Sequence, residues 1–170
     1  MTRRLALLCT AILLAGCAAP EGPATQLEKA NVLPLAIDNR YAFRKVQQTT
    51  LDTSVVPPRT LSEAAQFERA SMTWGAVDSL EIRKRNGNHY HFFWRTKVPS
   101  DVTVRLEYRQ AGLGNYVKAK ERYYPQAKGS YKSTFQVIGD EFLENGRVTS
   151  WRALLIVDGR IVALRQSFVW

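Results

Sequence analysis

The chain has 170 residues, 24 Lys and Arg against 15 Asp and Glu, and a formal net charge of +9. That length holds one domain with a tether and crowds two. The two cysteines both lie in the first 17 residues, so the rest of the chain has no thiol to pair and must be stabilised by its core.

The first element is a positive start, Arg3 and Arg4, followed by an apolar run over residues 5–14 that is too short to cross a bilayer as a stable helix. This pattern predicts an export signal. Its end, Leu14-Ala15-Gly16-Cys17, resembles the lipobox of bacterial lipoproteins. The resemblance implies cleavage before Cys17 and lipidation (palmitate) of its sulfur, with several acyl chains giving stable membrane attachment. Ala18 after the cysteine, rather than Asp, implies passage to the outer membrane, facing the periplasm. Loss of residues 1–16 removes Arg3 and Arg4 and lowers the balance to +7, which suits contact with acidic surfaces as well as plain solubility.

Residues 17–58 read as a lipid-anchored linker or arm. Pro20, Pro23 and Pro34 with little periodicity predict a flexible leash through about residue 40, with a reach of roughly 25–30 Å. Residues 41–56 are β-prone but irregular, and suit either an added strand or an ordered arm. After Pro57 and Pro58, Thr60-Leu61-Ser62-Glu63 predicts a capping box opening a short helix through about Ala70.

Residues 59–170 read as one β-sandwich domain. Met72, Trp74 and Ala76 alternate with polar residues, Leu80 and Ile82 follow, and Asn86-Gly87 offers a tight turn into a strand over 89–95. Val102, Val104, Leu106 and Tyr108 predict a strand with one buried face. A loop over 111–115 returns the chain into strands over 116–124 and 130–138, the latter with Tyr131, Ser133, Phe135 and Val137 on one side. In the last hairpin Asp158-Gly159 predicts a type I′ turn. That turn pairs Val157 with Arg160, Leu155 with Val162, Ala153 with Leu164 and Trp151 with Gln166. One face then collects Trp151, Leu155, Val162, Leu164 and Phe168, and Arg152 stands opposite Arg165.

The fold class expected from these elements is mainly β, an antiparallel β-sandwich with a short N-terminal helix. Phe92-Phe93-Trp94, Val98-Pro99 and Val104-Arg105-Leu106-Glu107-Tyr108-Arg109 resemble the second and third strands of fibronectin type III and related immunoglobulin-like domains. The resemblance implies an immunoglobulin-like sandwich with a proline-containing turn between those strands.

Chemistry is sparse in the pattern. His89 and His91 share a strand face, but a zinc site needs a further ligand and only a carboxylate such as Glu81 or Glu107 could supply it, so no metal or other cofactor is expected. No Gly-x-Ser-x-Gly elbow occurs. The adjacent acids Asp140 and Glu141, with Glu144, read as a solvated turn. These residues predict a protein that is not an enzyme.

One stretch remains. Residues 102–132 carry seven cations against Glu107 and Glu121, a balance of +5, interleaved with Tyr108, Tyr116, Tyr123, Tyr124 and Tyr131. Rings beside cations hold sugars and anionic groups, and tyrosine with arginine is enriched at protein interfaces. Arg105, Tyr108, Arg109, Tyr116, Lys118, Lys120 and Arg122 form the candidate binding surface. Lys118, Lys120 and Arg122 are expected to point outward and contribute little to folding. The expected function is a non-catalytic envelope lipoprotein that presents its sandwich to another envelope protein. The alternative is a module for anionic cell-envelope glycan. Nucleic acid is not an expected partner.

Overall fold

A computed structural model of the chain describes residues 21–28, 30–52, 71, 76 and 78–170. The elements are β1 (Thr25–Leu27), β2 (Tyr41–Leu51), α1 (Ser79–Arg85), β3 (Gly87–Gln110), a 3-10 turn (Ala111–Leu113), β4 (Lys118–Ile138), α2 (Asp140–Asn145), β5 (Val148–Val157) and β6 (Arg160–Gln166). The fold is mainly antiparallel β, as expected, and sandwich-like. Its six strands form one hydrogen-bonded sheet in the order β1-β4-β3-β5-β6, with β2 also paired to β3.

The two longest strands carry the architecture. The first half of β3 pairs with β2 and its second half with β5, while β4 accompanies it over most of its length. Pairing slips between Thr96↔Gly129 and Ser100↔Ala127, and again before Val102↔Tyr124. Pro99 and Pro125 at these slips have no N–H for the ladder, and Gln126 and Gly129 take positive φ angles of 47° and 96°. The long hairpin therefore folds across itself. The Val98-Pro99 segment, expected to be a turn between two strands, is a bulge within one strand of 24 residues. Likewise the strands expected over 116–124 and 130–138 are one strand, β4.

The core lies between the two halves. Tyr90, Phe92 and Trp94 from the first half of β3, and Val102, Val104, Leu106 and Tyr108 from the second, are fully buried. Trp151 of β5 joins them, with ring centroids 5.8 Å from Tyr90 and 5.5 Å from Phe92. Its indole N–H donates to Gln48 Oε1 at 3.0 Å and ties β5 to β2 across the core.

The described residues of the expected leash are instead held on the sheet: β1 pairs with β4, and residues 34–38 run alongside β6. β2 is the added strand that the 41–56 stretch allowed, and it pairs with β3. Ile161 N–H donates to Pro34 O, Ala36 N–H to Ile161 O and Asp38 N–H to Val162 O. This arm covers the β6 edge that would otherwise stay open to pairing. It also explains a register error. The Asp158-Gly159 turn has both φ angles positive, 48° and 69°, and Val157 pairs with Arg160 as expected. Beyond Ile156↔Ile161 the ladder slips to Leu155↔Ala163, leaving Val162 as an extra residue whose carbonyl serves the arm. Trp151, Leu155 and Val162 stay in the core, but Leu164 is 39% exposed and Phe168 fully exposed. Arg152 stands opposite Gln166, not Arg165.

Leu80 and Ile82 lie in α1, not in a strand. Asp78 caps this helix by accepting from Leu80 N–H at 3.1 Å. Asn86 closes the helix instead of opening a hairpin, and β3 starts at Gly87 (φ 143°), where an added Cβ would sit 2.1 Å from Val137 O. The helix expected over 60–70, together with Met72 and Trp74, lies outside the described residues.

Candidate functional site

Cross-strand pairing divides the seven residues of the expected surface between two faces. Val104 stands opposite Arg122, Leu106 opposite Lys120 and Tyr108 opposite Lys118, and opposed residues share a face. Lys118, Lys120 and Arg122 therefore point inward with the core strand, contrary to expectation. Arg105 and Arg109 point the other way, and Tyr116 sits at the entrance to β4 with half its surface exposed.

The inward cations close the open side of the sandwich. Glu141, on α2, accepts from Tyr108 Oη at 2.5 Å and from Lys120 Nζ at 2.7 Å, with Lys118 Nζ at 3.3 Å. Lys120 also donates to Gln136 O at 2.6 Å. Arg122 Nε donates to Thr134 O at 2.8 Å and lies 3.6 Å from Glu21. The Glu21 carboxylate accepts from Tyr124 Oη at 3.2 Å and from Thr134 N–H. Burial alone would raise the Glu141 carboxyl, but hydrogen bonds from Lys120 and Tyr108 and the charges of Lys120 and Lys118 outweigh it and hold the group below its ordinary value. Burial, followed by the hydrogen bond to Glu141, pushes the Tyr108 hydroxyl up. Burial pushes Tyr124 up to about 12. Glu141 thus departs from the solvated turn read in the sequence. Nothing local in Asp140-Glu141 signals that three partners on β3 and β4 converge there.

The opposite face carries a second polar group with its own partners. Glu107, 3% exposed, accepts from Arg152 Nε at 2.5 Å and lies 3.5 Å from Arg105 Nη1. Arg105, 6% exposed, donates from Nε to Glu121 at 2.6 Å and from Nη1 to Asn31 O at 2.9 Å. The guanidinium groups of Arg109 and Arg152 lie 4.4 Å and 4.7 Å from the Trp170 ring centroid. Fixed, paired charges thus floor a cleft of about 480 Å³ between the sheet and residues 28 and 30–35 of the arm. Its walls are largely apolar: Val32, Leu33, Tyr116, Leu154, Ile161 and Leu164. Val32 is 99% exposed. Of the expected residues, Arg105 and Tyr116 line this cleft and Arg109 holds its neighbour Trp170. Arg152, Leu154 and Leu164 were not singled out, because a one-residue slip and a covering arm decide where they point.

Each histidine has a partner within the protein. His89 is buried with Nε2 3.0 Å from Arg85 O, and His91 Nδ1 lies 3.2 Å from Thr134 Oγ1. Among the described residues no group of three or more His, Cys, Asp or Glu side chains comes together. No protein-family model, curated protein or solved structure matches the chain.

Proposed function

We propose that this protein is a non-catalytic envelope lipoprotein, held at the membrane through Cys17, whose cleft beneath the 30–35 arm receives another envelope protein. The observation that carries this reading is the cleft itself: a floor in which Arg105 and Arg152 are paired with Glu121 and Glu107, under walls of Val32, Leu154 and Leu164. Such a surface gives up little ion hydration when covered, and its apolar walls gain from burial. Leu35 and Ile37, about 60% exposed along the same arm, extend it. The glycan alternative drew on Lys118, Lys120 and Arg122, and those cations are taken by Glu141, Glu21 and main-chain carbonyls.

A photo-crosslinking residue placed at Val32 or Leu164 in intact cells is expected to yield one discrete protein adduct, absent when the probe sits at exposed Lys84 on α1, outside the cleft lining. Equal adducts at all three positions, or saturable binding of cell-wall fragments or lipopolysaccharide that a Leu164→Asp change removes, would overturn the protein-partner reading. The anchor is tested separately. Cys17→Ser is expected to abolish fatty-acid labelling and signal processing, and continued labelling would refute attachment at that thiol.

A further inference from the structure

The half of the sheet away from the cleft has an outer face of different character. Along it β2 contributes Ala42, Lys45, Gln47 and Thr49, β3 contributes His89, His91, Phe93 and Arg95, and β4 contributes Ser130, Lys132, Thr134 and Gln136. None is a carboxylate. Lys45 and Lys132 both stand opposite Phe93, one on each flanking strand, which sets them about 10 Å apart at ordinary strand spacing. Lys45 Nζ lies 5.9 Å from the Phe93 ring centroid, Arg95 is two residues further along β3, and Arg44 is exposed at the neighbouring bulge. Arg44, Lys45, Arg95 and Lys132 make no ion pair among the described residues.

This contrasts with the second halves of the long strands and with β5, where Arg105, Lys118, Lys120, Arg122 and Arg152 are each matched to a carboxylate. A single-sign cluster around an aromatic ring on an open sheet face, none of it lining the cleft under the arm, suits a broad planar polyanion better than a small ligand. His91, within this face, is held below its ordinary value by burial first and then by Lys132 and His89, with Glu21 acting in the opposite sense.

The chain path names which polyanion. Glu21 is fixed against Thr134 on the edge of β4, two residues from Lys132. Only three residues separate Cys17 from Glu21, and four residue steps span at most about 14 Å. An acylated Cys17 would therefore hold this edge close to the bilayer. We infer that the Lys45–Phe93–Lys132 face, with Arg95, lies against the anionic headgroups of the leaflet in which the chain is anchored, leaving the cleft on the other half of the sheet free for a partner. This inference rests on the anchor proposed above for its choice of surface.

The test uses residues 17–170 carrying Cys17→Ser, so that neither acylation nor the apolar run over residues 5–14 contributes to vesicle binding, and acyl labelling of the parent chain reports separately on the anchor. This chain is expected to bind phosphatidylcholine vesicles containing phosphatidylglycerol more tightly than phosphatidylcholine alone, and 1 M salt should remove the difference. The further change Lys45→Ser, Arg95→Ser, Lys132→Ser should weaken binding to the anionic vesicles by about 100-fold at low salt, since each basic residue at such a surface contributes roughly fivefold. Phe93→Trp supplies an independent readout: its emission should shift to the blue on anionic vesicles only. Equal binding to both vesicle types, an unchanged affinity of the triple variant, or capture by a soluble polyanion such as heparin without vesicle binding would overturn the inference.

Discussion

Trp94→Ala is expected to lower the unfolding free energy by about 3–5 kcal/mol, the cost of emptying a buried tryptophan site. The residue is fully buried at the fold of the long hairpin. Its ring stacks on Tyr131 at 4.8 Å and meets the edge of Tyr124 at 5.2 Å. Its indole N–H donates to Ser133 Oγ at 2.8 Å, and Ser133 in turn donates to Tyr124 Oη at 2.7 Å. Truncation opens a cavity and removes one of the two side-chain partners of the buried Ser133 hydroxyl, leaving Tyr124. Urea unfolding should show a lower midpoint with an unchanged slope. Phe168→Ala, at a fully exposed ring, should stay within about 0.5 kcal/mol of the parent. A loss at Trp94 as small as that would contradict the placement of the core.

How much of this was legible in the sequence depends on whether the deciding interaction was local. Val102, Val104, Leu106 and Tyr108 announce a half-buried strand because their inward face is uniformly apolar. Asp158-Gly159 announces its turn because positive φ restricts the residues that fit. Val98-Pro99 signals a broken ladder, yet a missing N–H is equally compatible with a reversal and a bend. Only the pairing of Thr96 with Gly129 and of Val102 with Tyr124 selects the bend. Leu80 and Ile82 at i, i+2 mimic strand alternation because a helix of seven residues is too short to display its own period. The arm was read as a leash because Pro23 and Pro34 spoil periodicity, although Pro34 contributes its carbonyl to β6. Lys118, Lys120 and Arg122 carry the largest error. Alternation correctly put them on one face, and charge suggested that the face was wet. The carboxylate that makes it dry comes from α2, some 20 residues away in sequence.

That error reverses an expectation about stability. Replacing Lys118, Lys120 and Arg122 together by Ser is expected to destabilise the domain by about 3 kcal/mol at pH 7, the low end of the cost of breaking a buried pair, because Glu141 remains partly buried without its two cations and with only the Tyr108 hydrogen bond to hold its charge. Linkage gives the effect a pH signature. In the parent chain the Glu141 carboxyl is held below its ordinary value of 4.5, so its contribution is fully present above that pH and is lost as pH falls through the lower folded value. In the variant the cations are gone and only the Tyr108 hydrogen bond still opposes burial, so the balance moves toward the protonated acid. The gap between the two proteins should therefore narrow on acidification below about pH 4.5. Adding Glu141→Gln to the triple variant removes the stranded charge and should recover part of the loss at pH 7. Urea midpoints at pH 7 and pH 4 for the three proteins check this. A triple variant within 0.5 kcal/mol of the parent at pH 7 would return these cations to the solvated surface first read from the sequence.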